Sequence, residues 1–148
     1  MKLKLRTVPS RLASGAYILH SGLELWNGDE EQATATHGMA AAAFPFLKGV
    51  PPRRFLRLLA AGQIATGAAL LAPFVPNALA GTALTGFGGS LVAFYLRAPG
   101  LRKPGSVWPS QAGIGVSKDV WLLGIGLGLL ADAASERRAT TGGAAEGG

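Results

Sequence analysis

A run of 39 residues, 58–96, carries no charged side chain, and this constrains the chain more than any other feature. A helix needs about 20 apolar residues to cross the hydrocarbon core of a bilayer, so the run is too long for one crossing and long enough for two. Near its middle stands Pro73-Phe74-Val75-Pro76-Asn77, a segment of helix-breaking residues. The spacing predicts a tight hairpin of two membrane-spanning helices, 55–72 and 78–96. Arg57 and Arg97 mark its ends, and a side chain as long as that of Arg57 can reach the interface from inside a span.

Composition points the same way. Hydrophobic residues make up 49% of the 148 and charged residues 15%, against about 25% charged in ordinary soluble domains. The 22 glycines would weaken the helices and strands of a soluble fold. In a bilayer, small residues let helix backbones approach one another closely. The chain has no cysteine, which excludes disulfides, thiolate catalysis and cysteine-held iron–sulfur clusters. The net charge of +6 sits at the edges of apolar runs, away from aromatic readers. That placement suits anionic lipid headgroups and gives no support to a nucleic-acid partner.

Two further spans are predicted, 8–27 and 117–134. Residues 12–26 are apolar except for Ser14, His20, Ser21 and Glu24. The apolar stretch 120–131 reaches spanning length if Lys118, Asp119 and Asp132 lie at the two interfaces, with Trp121 as an interfacial anchor. The competing reading of both segments is an amphipathic surface helix, but neither has the strongly charged face such helices show. Residues 38–47, with Pro45, are too short to cross and read as an interfacial or re-entrant segment. Residues 98–117 read as a structured loop, and 135–148 as a disordered, low-complexity tail. A basic start at Lys2, Lys4 and Arg6 resembles a secretory leader, but His20, Glu24 and the acidic Asp29-Glu30-Glu31 speak against cleavage. The expectation is an all-α, four-helix, multi-pass bundle of the cell membrane over 1–134. Its basic residues divide six against eight between the two sides, so charge does not select an orientation.

Candidate sites are few. His20 and Glu24 share a helix face by their spacing, and with Gln63 they form a candidate intramembrane polar site. It could contact a quinone or relay a proton, or serve as a structural hydrogen-bonded group. Haem ligation by His20 and His37 is disfavoured, because His37 is expected in a loop beyond the acidic turn. No metal set and no catalytic constellation is found. Gly86 with Ser90, and Gly124 with Gly128, offer small faces for helix packing within the bundle or between subunits of a homo-oligomer. Arg53, Arg54, Arg57, Arg97, Arg102 and Lys103 fall on one membrane side and offer contact to anionic lipid or an acidic partner, or are ordinary flanking charge.

Several of these residues carry a resemblance. Arg11-Leu12-Ala13-Ser14-Gly15, His20-Ser21-Gly22-Leu23 and the stretch from Gly62-Gln63-Ile64-Ala65-Thr66-Gly67 to Pro73, with the order of spans, make the chain similar to the DoxX family of small four-helix membrane proteins. The resemblance covers about residues 11–131. It departs at Glu24, where the family often has lysine in the first helix, and at Gln63, where it often has glutamate in the second. It implies an accessory or scaffolding subunit of a membrane-associated redox complex, with no catalytic centre of its own. The alternative it implies is a quinone-contacting subunit of a thiosulfate:quinone oxidoreductase. A small transporter is a third reading.

Overall fold

The computed structural model describes residues 5–145, with side chains described as far as 141. It is all-helical, with no strand among the described residues. The elements run α1 (Val8–Trp26), α2 (Glu30–Ala43), a 3-10 turn (Pro45–Gly49), α3 (Pro52–Leu71), α4 (Asn77–Arg97), α5 (Ile114–Ser117) and α6 (Val120–Ala145). Proline sets several boundaries. It is tolerated in a first helical turn, where the backbone N–H would be unsatisfied anyway, and α1 and α3 both open with it. Pro73 ends α3, because the residue before a proline is pushed out of helical geometry. Asp29 caps α2 by accepting from the Gln32 backbone N–H at 2.8 Å, and Glu30 and Glu31 complement the helix dipole.

Packing is closest within two antiparallel pairs, α1 with α3 and α4 with α6. Glycine makes each approach possible. A Cβ at Gly67 would lie 2.6 Å from the Leu19 backbone nitrogen, and one at Gly126 would lie 2.7 Å from that of Thr85. Between the pairs, Ile18, Leu70, Ala80, Leu84, Leu122 and Leu129 form one buried apolar cluster. A smaller cluster of Ala43, Tyr95, Ala98 and Leu101 fastens α2 and the long loop to the end of α4.

Two helical stretches, α4 (Asn77–Arg97) and Ile114–Thr141, where α5 runs into α6 through a tight turn, are long and apolar enough to cross a membrane. Only 28% and 17% of their apolar windows are buried within the fold, so each turns most of its surface outward.

Two segments differ from expectation, while the structured loop expected over 98–117 is present up to a short helix at its end. The stretch read as interfacial or re-entrant is the second half of α2 followed by the 3-10 turn, a regular helix nucleated by its acidic cap. His37 accordingly lies on a helix, its Nε2 2.9 Å from the Leu47 carbonyl and its ring edge-on to Phe55. The tail expected from residue 135 continues α6 to Ala145, with the Thr140 and Thr141 hydroxyls bonding back to carbonyls of the preceding turn. Residues 146–148 of that tail lie outside the described residues. Residues 98–113 form a hydrogen-bonded loop, in which Lys103 N–H donates to Trp108 O and Ser110 N–H to Leu101 O.

Candidate functional site

Two polar constellations lie between the helix pairs. The first is centred on Arg11, one turn into α1 and 2% exposed. A guanidinium has five N–H donors in a fixed plane, and here it makes five bonds. Nε donates to Leu70 O at 2.8 Å, and Nη2 to Ala69 O and Ala72 O at 2.9 Å each. Nη1 donates to Val75 O at 2.9 Å and to Asn77 Oδ1 at 2.8 Å. Four of these acceptors are carbonyls at the end of α3 and in the following turn, where a helix leaves its C=O groups without internal partners. One cation therefore caps α3 and holds the turn that reverses the chain into α4. Asn77 extends the network, donating from Nδ2 to Asp132 Oδ2 at 3.1 Å, and Arg6 pairs with the other oxygen of Asp132. Thus α1, α3, α4 and α6 are tied at one end.

The second constellation lies near mid-length. A chamber of about 80 Å³ is lined by Tyr17, Ile18 and Ser21 of α1, Gln63 of α3, Phe87 and Leu91 of α4, and Asp119 and Leu122 at the start of α6. Gln63 is 6% exposed, and its Oε1 is buried with no hydrogen-bond partner. The Asp119 carboxylate has no ion pair among the described residues, and neither lysine, arginine nor histidine lines the chamber. Tyr17, which does line it, packs on Trp121 with ring centroids 6.1 Å apart. Asp119 occupies a break: α5 ends at Ser117, Lys118 and Asp119 turn, and α6 begins at Val120. The sequence reading set Asp119 at a membrane interface. It lies instead beside Tyr17, Gln63 and Phe87, each close to the midpoint of its own helix.

The structure does not bring His20, Glu24 and Gln63 together. Gly15, Ile18 and Gly22 form the buried stripe of α1, and a Cβ at Gly22 would stand 2.9 Å from that of Gln63. His20 and Glu24 each lie two positions from Gly22, about 200° around the helix axis, and both are exposed. Their spacing does place them on one face, but it is the outward face.

Of the two uses open to the small-residue faces, packing within the chain is not the one found. Beyond Gly86, Gly124 and Gly128 there is open space, and Ser90 is exposed, its hydroxyl bonded back to Phe87 O at 2.6 Å. None of the four packs helices within this chain. Gly67 and Gly126 do so instead, along with Gly15, Gly22, Gly81 and Gly88.

The basic group gathers at the end opposite Arg11, and its members differ in setting. Arg57 lies over Trp26 at 4.6 Å, and Arg97 over Phe44 at 5.4 Å. Arg102 donates to Leu96 O at 2.7 Å, capping α4. Arg53 pairs with Glu30 at 3.5 Å with both side chains exposed, while Arg54 and Lys103 are exposed. Among the described residues no three His, Cys, Asp or Glu are grouped to hold a metal. Searches among protein families, curated proteins and solved structures find no match.

Proposed function

We propose that the chain is a DoxX-like, four-span protein of the cell membrane that acts as an accessory or scaffolding subunit of a membrane-associated redox complex, without chemistry of its own. The four long helices supply the spans. At 1.5 Å per residue the 19 residues of α1 and the 20 of α3 extend about 28 and 30 Å, close to the hydrocarbon thickness. Their outward faces carry Leu12, Leu23 and Leu58, as those of α4 and α6 carry Leu79 and Leu127, which suits contact with lipid.

The observation that carries the scaffolding role is the outer face of α6. Gly124 and Gly128 stand four residues apart with open space beyond them, on a helix whose in-chain contact is made by another glycine, Gly126. Small residues four apart are the pattern by which membrane helices meet closely. Here the fold leaves that pattern available to a helix from another subunit.

Gly124→Leu and Gly128→Leu test the reading. Each fills open space, so the isolated chain should keep its thermal stability in detergent. The larger assembly resolved on a native gel should be lost. An assembly that persists in both variants would contradict the role.

A further inference from the structure

We infer that the groove where α4 ends and α6 begins binds one anionic phospholipid of the surrounding bilayer, with an acyl chain along the groove and the phosphate at its basic rim. This rests on the membrane placement proposed above and needs no partner subunit.

The groove holds about 370 Å³, within the range of small-ligand sites. Val92 and Leu96 of α4 and Val120 of α6 line it, and Val107 and Trp108 of the long loop complete it. Its helical walls belong to the two stretches that are apolar enough to cross a membrane and that turn most of their surface outward. Leu96 and Val120 are themselves exposed, so in a bilayer the groove opens toward acyl chains.

The loop is held in place. Tyr95 OH donates to Val107 O at 2.7 Å, and Lys103 N–H donates to Trp108 O at 2.9 Å. These bonds fix a loop whose Val107 and Trp108 side chains are exposed. An indole, apolar in its ring and polar at its N–H, is favoured at the level of lipid headgroups.

The rim carries charge of one sign. Arg102 Nη2 donates to Leu96 O at 2.7 Å and Nη1 to Ser106 O at 3.4 Å, which sets its guanidinium beside a wall of the groove. These carbonyls use two of its five N–H donors, and the second N–H on each terminal nitrogen remains for an oxyanion. Lys103 is bonded through its backbone to Trp108, Lys118 follows Ser117 of the groove lining, and both lysines are exposed. None of the three cations has an ion pair among the described residues, and no Asp or Glu occurs from 32 to 118. Asp119 lines the mid-length cavity instead. Uncompensated positive charge beside an apolar groove matches a phosphodiester with its acyl chain. An acidic protein segment would answer the cations and leave the groove unfilled. Arg57, Arg97 and Arg53 are engaged elsewhere, on Trp26, Phe44 and Glu30.

Trp108 provides the readout, because bromine on an acyl chain quenches a tryptophan that it touches. Trp26→Phe and Trp121→Phe leave Trp108 as the sole tryptophan. The protein is reconstituted into vesicles of phosphatidylcholine and phosphatidylglycerol, with one lipid or the other brominated. Quenching should saturate at a low mole fraction of brominated phosphatidylglycerol, and should rise only in proportion to content with brominated phosphatidylcholine. Lys103→Gln and Lys118→Gln should each lower this preference by about fivefold. Arg102 stays in place because it also caps α4. Arg53→Gln should leave the preference unchanged, and Ser117→Leu, which fills the groove, should remove the saturable component. Equal quenching by the two lipids would overturn the assignment, as would a preference that survives both Ser117→Leu and the double lysine variant. Flotation with the vesicles separates the two levels. A chain that floats without preference overturns the lipid site alone, whereas one that stays in the aqueous fraction overturns the membrane placement and the site with it.

Discussion

Arg11 is the residue on which the end of the bundle depends. Its five bonds reach carbonyls and an amide 58 to 66 residues further along the chain. Removing the side chain strands four carbonyls at a helix end and in the adjoining turn. Hydrogen bonds to a charged donor contribute about 1.5–3 kcal/mol each, and they do not simply add. Arg11→Ala should therefore cost at least about 3 kcal/mol, seen as a lower thermal midpoint in detergent. Lysine is a poor substitute, since an ammonium has three donors on one point and no plane. Arg11→Lys should recover only a minor part of the loss, and full recovery would show that charge alone matters. None of this was legible in the sequence. A basic residue at the start of a predicted span looks like any flanking charge, and its partners are backbone groups that carry no signature. The grouping of His20 and Glu24 with Gln63 failed for a related reason. Spacing shows which residues share a face, but the inward face was chosen by Gly15, Ile18 and Gly22.

At the scale of helices, glycines of identical chemistry have opposite roles. Gly67 presses on the Leu19 backbone, which cannot give way cheaply. Gly67→Ala should cost about 1–3 kcal/mol through overpacking, even though alanine is the better helix former. Gly124→Ala, with open space beyond it, should be neutral or stabilising by up to about 1 kcal/mol in the isolated chain. Paired thermal melts of the two variants measure this contrast, and equal shifts would contradict the packing described. The helices themselves were readable where breakers punctuate them. The predicted 55–72 and 78–96 appear as Pro52–Leu71 and Asn77–Arg97, separated by the Pro73–Pro76 turn. Segments without such punctuation were misjudged. The helix α2 was hidden because its alanine-rich body was read by hydropathy alone, and the break at Asp119 was hidden because an apolar run after a charged pair looks like an ordinary span entrance.

The whole molecule is two glycine-zipped helix pairs, tied at one end by the Arg11–Asn77–Asp132 network, with a small, partly open cavity between them near mid-length. Its outer surface carries exposed apolar side chains along the helices, interrupted on α1 by His20 and Glu24, with arginines gathered at the end where α3 begins and α4 finishes. That arrangement gives the proposed membrane placement a definite topology. In the proposed four-span placement the α3–α4 turn would lie on one side, and both the α1–α2 junction and the long loop on the other. The chain has no cysteine of its own, so single cysteines can be introduced without background. Phe74 at the turn is 77% exposed and Val107 in the loop 67%, while Asn27 is exposed at the junction. Asn77 is less suitable, being held by Arg11. The most direct measurement is labelling of Asn27→Cys, Phe74→Cys and Val107→Cys in sealed, oriented vesicles with a membrane-impermeant maleimide. The account predicts that Phe74→Cys labels from the side opposite to the other two. Labelling of all three from one side would contradict it.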